Sequence, residues 1–191
     1  KKDTSKTRQI SAPQKKLKTL QKRLLYLIKR IKRPPWLFSG EMGKCYLDNG
    51  KYHLNNPYVL TIDIKSFYEH CTRNAVYLFF LEKMQTSPDV AKILTDITTL
   101  DKKLPTGTPT SQLIAFHAYE DMFNEINNLA KSYNCIFSLY VDDMTFSSSY
   151  PFSPKNLTYK IKTILHKYKH HLSSEKVKYY SKDMAKDITG L

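Results

Sequence analysis

Residues 138–149 read SLYVDDMTFSSS, a hydrophobic run, two adjacent aspartates, then a run of Thr, Phe and Ser. Both flanks are strand-like, which puts Asp142 and Asp143 at the tip of a β-hairpin. A chain that needed only a turn there would use Asn-Gly or Asp-Gly. Two carboxylates about 4 Å apart repel by roughly 1 kcal/mol in water and about 4 kcal/mol in a partly shielded site. Cations held between them would remove that penalty, so the pair predicts further oxygen ligands elsewhere in the chain.

YVLTIDI, residues 58–64, mixes β-branched and aliphatic residues into a buried strand with Asp63 at its C-terminal end. If this strand neighbours the hairpin in one sheet, Asp63, Asp142 and Asp143 converge on one edge. Such oxygen-rich sites suit Mg²⁺, which keeps several waters and borrows phosphate oxygens from a substrate. Two ions roughly 3.5–4 Å apart stabilise both the attacking and the leaving oxygen of an in-line phosphoryl displacement.

The 191 residues are 41% hydrophobic, enough for one domain with a core. Lys plus Arg number 31 against 17 Asp plus Glu, a net charge of +14, which favours a polyanionic partner, most commonly nucleic acid. Aromatics make up 13%, and rings beside basic residues suit stacking on bases. Cys45, Cys71 and Cys135 match neither zinc spacing nor a disulfide framework, so a reducing, cytoplasmic setting is expected. No apolar run has the length of a membrane span, so no membrane partner is expected. Lys1 at one end and DITGL at the other lead us to expect a chain cut at both ends.

Leu17, Leu20, Leu24, Leu27, Ile28 and Ile31 recur at helical spacing and predict a helix over 14–32, ended by RPPW at 33–36. Trp36 is expected to be a packing anchor. Turn residues dominate 37–57. Helices are expected over 73–85, 88–97, 111–131 and 157–172, and strands over 135–141, at MTFSS and at VKYY. His166, His170 and His171 have no third ligand type nearby and are read as a solvated helix face. The order of elements is α+β around a small antiparallel sheet.

DIKSFY at 63–68, LPTGTPTS at 104–111 and YVDD at 140–143 stand in the order and spacing of reverse transcriptases. RQISAP followed by LKTLQKRLL resembles the fingers segment of the bacterial retron and group II intron branch, which includes defence-associated enzymes. SSEKVKYY before DITGL resembles the stretch leading into that branch's late palm. The resemblance implies a right-hand polymerase fold, fingers and palm, with the thumb absent before Leu191. It places the fingers region and its connection at 1–57, and the palm with interleaved fingers helices at 58–191, in one continuous domain.

What the resemblance implies chemically is an RNA-directed DNA polymerase. Asp63, Asp142 and Asp143 would be the catalytic metal carboxylates, with the Ile64 carbonyl as a further ligand, for two Mg²⁺ ions or Mn²⁺ in their place. Tyr68 falls where the family has an aromatic steric gate against the 2′-hydroxyl, with Phe67 beside it. Thr106 and Gly107 would approach the incoming nucleotide, Lys1 and Arg8 its triphosphate, and Lys176 the pyrophosphate, with Lys178 a competitor for that role. Lys15, Lys18, Lys22, Arg23 and Tyr140 would contact nucleic acid. The implied partners are an RNA template, a DNA or RNA primer and dNTPs, together with a noncoding RNA and an accessory effector protein in a retron or antiphage setting. Thr106 stands where the family usually has Gln, Gln112 where it often has Pro, and Leu139 where many bacterial members have Arg. A silent nucleic-acid-binding scaffold, an RNA polymerase and a template-independent polymerase on the same palm stay open.

Overall fold

The computed structural model describes residues 10–188. The chain divides into two compact units, Lys1–Ile31 with Tyr68–Ala118, and Lys32–Phe67 with Tyr119–Leu191. Residues 32–57 therefore fall with the sheet and not with the N-terminal helix.

The first unit is helical. Helix α1 spans Lys15–Ile28 and buries Gln21, Leu24 and Ile28, a narrower stripe than the leucine pattern predicts. Leu20 and Leu27 stay half exposed. Gln21 is drawn inward because its Nε2 donates to the Ile97 carbonyl at 2.8 Å. The helix expected over 73–85 is α4, Arg73–Leu78, continued by one wide turn over Phe79–Lys83 in which the Met84 N–H reaches the Phe79 carbonyl. Helix α5 is Pro88–Thr98, with Pro at its first turn. The helix expected over 111–131 is two helices, α6 at Ser111–Ala118 and α7 at Glu120–Ser132, broken at Tyr119. The imperfect apolar spacing across that stretch joins a first helix buried nearly all round, from Leu113 to His117, to a second with one buried face, Met122, Phe123, Ile126 and Ala130.

The second unit holds a four-stranded antiparallel sheet in the order β2-β3-β1-β4. The strands are β1 (Tyr58–Asp63), β2 (Ile136–Tyr140), β3 (Asp143–Ser148) and β4 (Lys178–Tyr180). Successive side chains alternate between faces. One face carries Leu60, Ile62, Phe137, Leu139, Met144 and Phe146, all buried. Helix α7 packs on β2 and helix α8, Pro154–Lys167, packs on α7, presenting Met122, Phe123, Ile126, Leu157, Ile161 and Leu165 to the core. Trp36 is the expected anchor: its ring lies 5.2 Å from that of Phe137, and residues 36–38 pair with the outer edge of β2.

The other face is mostly polar, with Thr61, Asp63, Ser138, Asp143, Thr145 and Ser147, beside a small apolar cluster of Val59, Tyr180 and Ile188. At one end His53 seals it. Fully buried, after the short helix α2 (Tyr46–Tyr52), it places Nδ1 2.7 Å from Ser147 Oγ and Nε2 2.7 Å from Ser138 Oγ. Burial pushes its pKa down to about 4. Between about pH 6.5 and 4 the unfolded chain thus binds a proton that the native state refuses, and stability falls with pH across that window. His53→Gln is expected to cost stability at pH 7, with a deficit about 2 kcal/mol smaller at pH 5. Denaturant midpoints of both proteins at the two pH values check this; an unchanged deficit would mean that His53 is not held neutral.

Helix α8 ends earlier than expected, at Lys167, because Lys169 turns to φ +62°. His170 is consequently not on a solvated helix face. It is fully buried, its ring 4.4 Å from Tyr119 and 5.2 Å from Phe67. His166 and His171 are exposed and lie with Nε2 and Nδ1 3.1 Å apart.

Candidate active site

The aspartates meet because of strand register. β1 and β3 pair antiparallel with Asp63 opposite Asp143, the last rung of the ladder. Tyr140 pairs with Asp143, so the hairpin loop is Val141–Asp142 and Asp143 already belongs to β3, one residue off the Asp-Asp tip expected. Val141 adopts φ +61°. A β-branched residue there is a steric outlier that costs about 1–3 kcal/mol, where glycine would cost none. The Ile64 N–H donates to the Asp142 carbonyl at 3.0 Å and ties the strained loop to the end of β1.

The fourth strand completes the edge. Ile64 bridges Leu172, with the Lys65 N–H on the His171 carbonyl and the Ser173 N–H on the Asp63 carbonyl. These bonds leave the Ile64 carbonyl itself out of the bridge. Residues Ser174–Lys176 then leave the ladder in a 3₁₀ turn before β4 resumes pairing with Val59–Thr61. That turn brings Lys176 Nζ to 2.7 Å from Asp63 Oδ2, while Ser173 Oγ donates to Asp63 Oδ1 at 2.8 Å. Lys178 instead pairs with Asp187 at 2.9 Å. Of the two lysines, Lys176 is the one on the carboxylates.

Thr61, Asp63, Asp143, Thr145, Lys176, Lys178 and Asp187 line a cleft of about 160 Å³ on this polar face. The Asp143 carboxyl is raised to about 6, first by burial, then by the negative charges of Asp142 and Asp63, with Lys176 pulling the other way. Among the described residues no three His, Cys, Asp or Glu side chains form a ready-made metal cage. Mg²⁺ does not require one, since it binds through one or two carboxylates plus substrate phosphates. An acceptor-only cluster whose own charges raise a carboxyl, and which one lysine only partly neutralises, fits a divalent cation.

The other expected residues are distributed as follows. The Phe67 side chain is 2% exposed, with its ring against Tyr119, Phe123 and His170. Tyr68, next in the short helix α3 (Phe67–His70), is half-buried. Tyr140 is half-buried at the end of β2. In the helical unit Lys15, Lys18, Lys22 and Arg23 are exposed along α1. Gly107 has φ +99°, and an added Cβ would come within 2.6 Å of Ile10 Cγ2. The Ser11 N–H donates to the Thr106 carbonyl at 2.9 Å, so the absent side chain of Gly107 makes room for a neighbouring segment of the chain. Lys1 and Arg8 lie outside the described residues. Ser173 escaped the sequence reading, because nothing in SSEK distinguishes it from Ser174 until the register with β1 is known.

A family profile described as reverse transcriptase (RNA-dependent DNA polymerase) matches residues 1–189. The retron Se72 reverse transcriptase of Salmonella heidelberg is 30% identical over 197 residues, covering 97% of this chain and 51% of that protein. The retron Ec86 reverse transcriptase of Escherichia coli is 28% identical over 142 residues, covering 74% and 44%. The chain thus spans about half the length of these curated relatives. Among solved structures, apo telomerase from Candida tropicalis superposes with a TM-score of 0.61 at 12% identity, over 86% of this chain and 36% of that one. Telomerase from Candida albicans in complex with a telomeric RNA fragment gives 0.52 at 10% identity, over 93% and 32%. At these identities the likeness is one of fold.

Proposed function

The chain belongs to the reverse transcriptase (RNA-dependent DNA polymerase) family, and from that premise we propose that it carries the fingers and palm of an RNA-directed DNA polymerase. The helical unit would be the fingers and the sheet unit the palm. The observation that supports the reading is Asp63 opposite Asp143 at one sheet edge, with the charge of Asp142 bearing on Asp143 and Lys176 on Asp63. Asp63, Asp142 and Asp143, with the Ile64 carbonyl, would hold two Mg²⁺ or Mn²⁺ ions. Lewis acidity towards an attacking primer 3′-hydroxyl and a leaving pyrophosphate is what such ions supply at carboxylates.

Lys176 begins on Asp63 and is half exposed, so its ammonium is within reach of a polyphosphate that enters the cleft, where it would neutralise charge and donate a proton. Tyr68 would press on the sugar and leave no room for a 2′-hydroxyl. The lysines of α1 would track phosphates, each neutralised phosphate on a duplex steepening the log-log salt dependence by about 0.9. With retron enzymes among its relatives, the proposed template is a noncoding RNA, and antiphage defence with an effector protein is the setting that goes with it.

The test is primer extension on an RNA template by the longest native form of the chain, with Mg²⁺ and with dNTPs or rNTPs supplied separately. DNA synthesis supports the proposal. RNA binding without any incorporation, on natural template and primer as well, would move the assignment to a scaffold. In the same assay Tyr68→Ala is expected to raise ribonucleotide use relative to deoxyribonucleotide use by roughly 10²-fold, the scale on which a pocket rejects one added hydroxyl. An unchanged ratio would remove Tyr68 from the role of gate.

A further inference from the structure

We infer that Ser173 is the positioning residue of Asp63, the side chain that fixes its carboxylate for cation binding; the inference rests on the reading of Asp63 as a metal carboxylate. Asp63 is held at three points from one short segment. The Ser173 N–H takes its backbone carbonyl at 2.9 Å, Ser173 Oγ takes Oδ1 at 2.8 Å, and Lys176 Nζ takes Oδ2 at 2.7 Å. The Lys176 N–H donates back to the Ser173 carbonyl at 3.0 Å and closes the turn that carries both side chains.

The two side-chain partners are not equivalent. Lys176 is half exposed and sits at the end of four flexible bonds, so it is free to leave Oδ2 for an incoming phosphate. Ser173 is 4% exposed, and only one rotatable bond separates its hydroxyl from a backbone already pinned to the end of β1. When Lys176 leaves, the Ser173 hydroxyl still defines the plane of the Asp63 carboxylate. An ionised carboxylate has about four acceptor sites. One bond to Oδ1 therefore orients the group and still leaves lone pairs on both oxygens for a cation shared with Asp143. Hydrogen-bonding partners of this kind commonly set metal affinity by 10–100-fold.

The experiment compares Ser173→Ala and Ser173→Thr with the unaltered protein in its longest native form. Mn²⁺ alone is titrated into metal-free protein and free ion is followed by electron paramagnetic resonance. Ser173→Ala is expected to weaken Mn²⁺ binding about 10–100-fold and to raise the half-saturating Mg²⁺ in primer extension by the same factor. Its rate should recover at saturating Mg²⁺, and Ser173→Thr should restore both readouts. A merely structural serine would lower the melting temperature without altering the Mn²⁺ affinity of the folded protein. Equal Mn²⁺ affinity in Ser173→Ala and the unaltered chain would overturn the inference. If the alanine variant fails to fold, Ser173→Thr against Ser173→Val, similar in shape with and without the hydroxyl, makes the same comparison. Ser173-dependent Mn²⁺ binding by a protein that incorporates no nucleotide would sink the polymerase reading and leave this one standing.

Discussion

Asp143→Asn, made in the longest native form of the chain, is expected to stop nucleotide incorporation while leaving the protein folded. Charge stabilisation at a metal-assisted phosphoryl centre is worth several kcal/mol, and each 1.36 kcal/mol is tenfold in rate, so the loss should be at least roughly 10³-fold. The same substitution should stabilise the metal-free chain at neutral pH. Like charges directly opposite one another in an antiparallel pair are destabilising, and Asp143 faces Asp63 with Asp142 adjacent. Its carboxyl is raised to about 6, above the ordinary carboxylate value. A raised folded pKa means that the group's contribution is intact at low pH and is lost as pH climbs through about 6. The asparagine variant should therefore exceed the unaltered protein by roughly 2 kcal/mol at pH 8 after allowance for solvent screening, and the difference should vanish below about pH 4. Paired incorporation assays and metal-free denaturation curves at pH 8 and pH 4 read both arms. Undiminished incorporation would remove Asp143 from the chemistry. A variant less stable at pH 8 would mean that the cluster is not short of positive charge.

The second large effect is on the fold. Phe146→Ala should cost about 3–5 kcal/mol, the range for emptying a buried phenylalanine site. Phe146 is fully buried at the centre of β3, opposite Leu60 and Phe137 on the two neighbouring strands, with its ring 5.1 Å from that of Phe137. That loss approaches the whole stability of an ordinary domain, and it should also remove activity by loosening the ladder that aligns Asp63 with Asp143. Tyr159→Ala is the control: the ring is 72% exposed on α8, and such a change should stay within about 0.5 kcal/mol. Urea midpoints of the two variants decide the matter, and a cost below about 1 kcal/mol for Phe146→Ala would mean that this face of the sheet is not the core.

Local chemistry is what a sequence writes most plainly, and the carboxylates show how far that reaches. Alternating and β-branched residues around Asp63 and around Asp142–Asp143 marked two strands and a hairpin, because strand propensity and turn placement depend on neighbours along the chain. The +14 charge and the lysines on the helix after Pro13 were equally legible. Boundaries were less so. The stretch 111–131 reads as one helix but breaks at Tyr119, where the chain passes between the two compact units. The helix expected to reach Leu172 stops at Lys167, and His170 goes into the core to pack against Phe67 and edge-on to Tyr119. Phe67 itself looked like a site residue because it precedes Tyr68, yet it packs inward. Polarity along a helix or strand does not say which groups find partners once elements pack; Gln21 and His53 are buried because a carbonyl and two hydroxyls await them.

By itself, then, the sequence determined which residue types are available for chemistry, and in what order: an aspartate at a strand end, a glycine-bearing loop, two aspartates at a hairpin tip, and a basic chain. Only the tertiary structure decided their pairing. Antiparallel register set Asp63 opposite Asp143, and a turn interrupting the pairing of residues 171–180 along β1 delivered Ser173 and Lys176 to the two oxygens of Asp63. Those contacts join positions 110 and 113 residues apart. Register over such distances is set by which sheet face can be buried, a condition that no window of sequence contains.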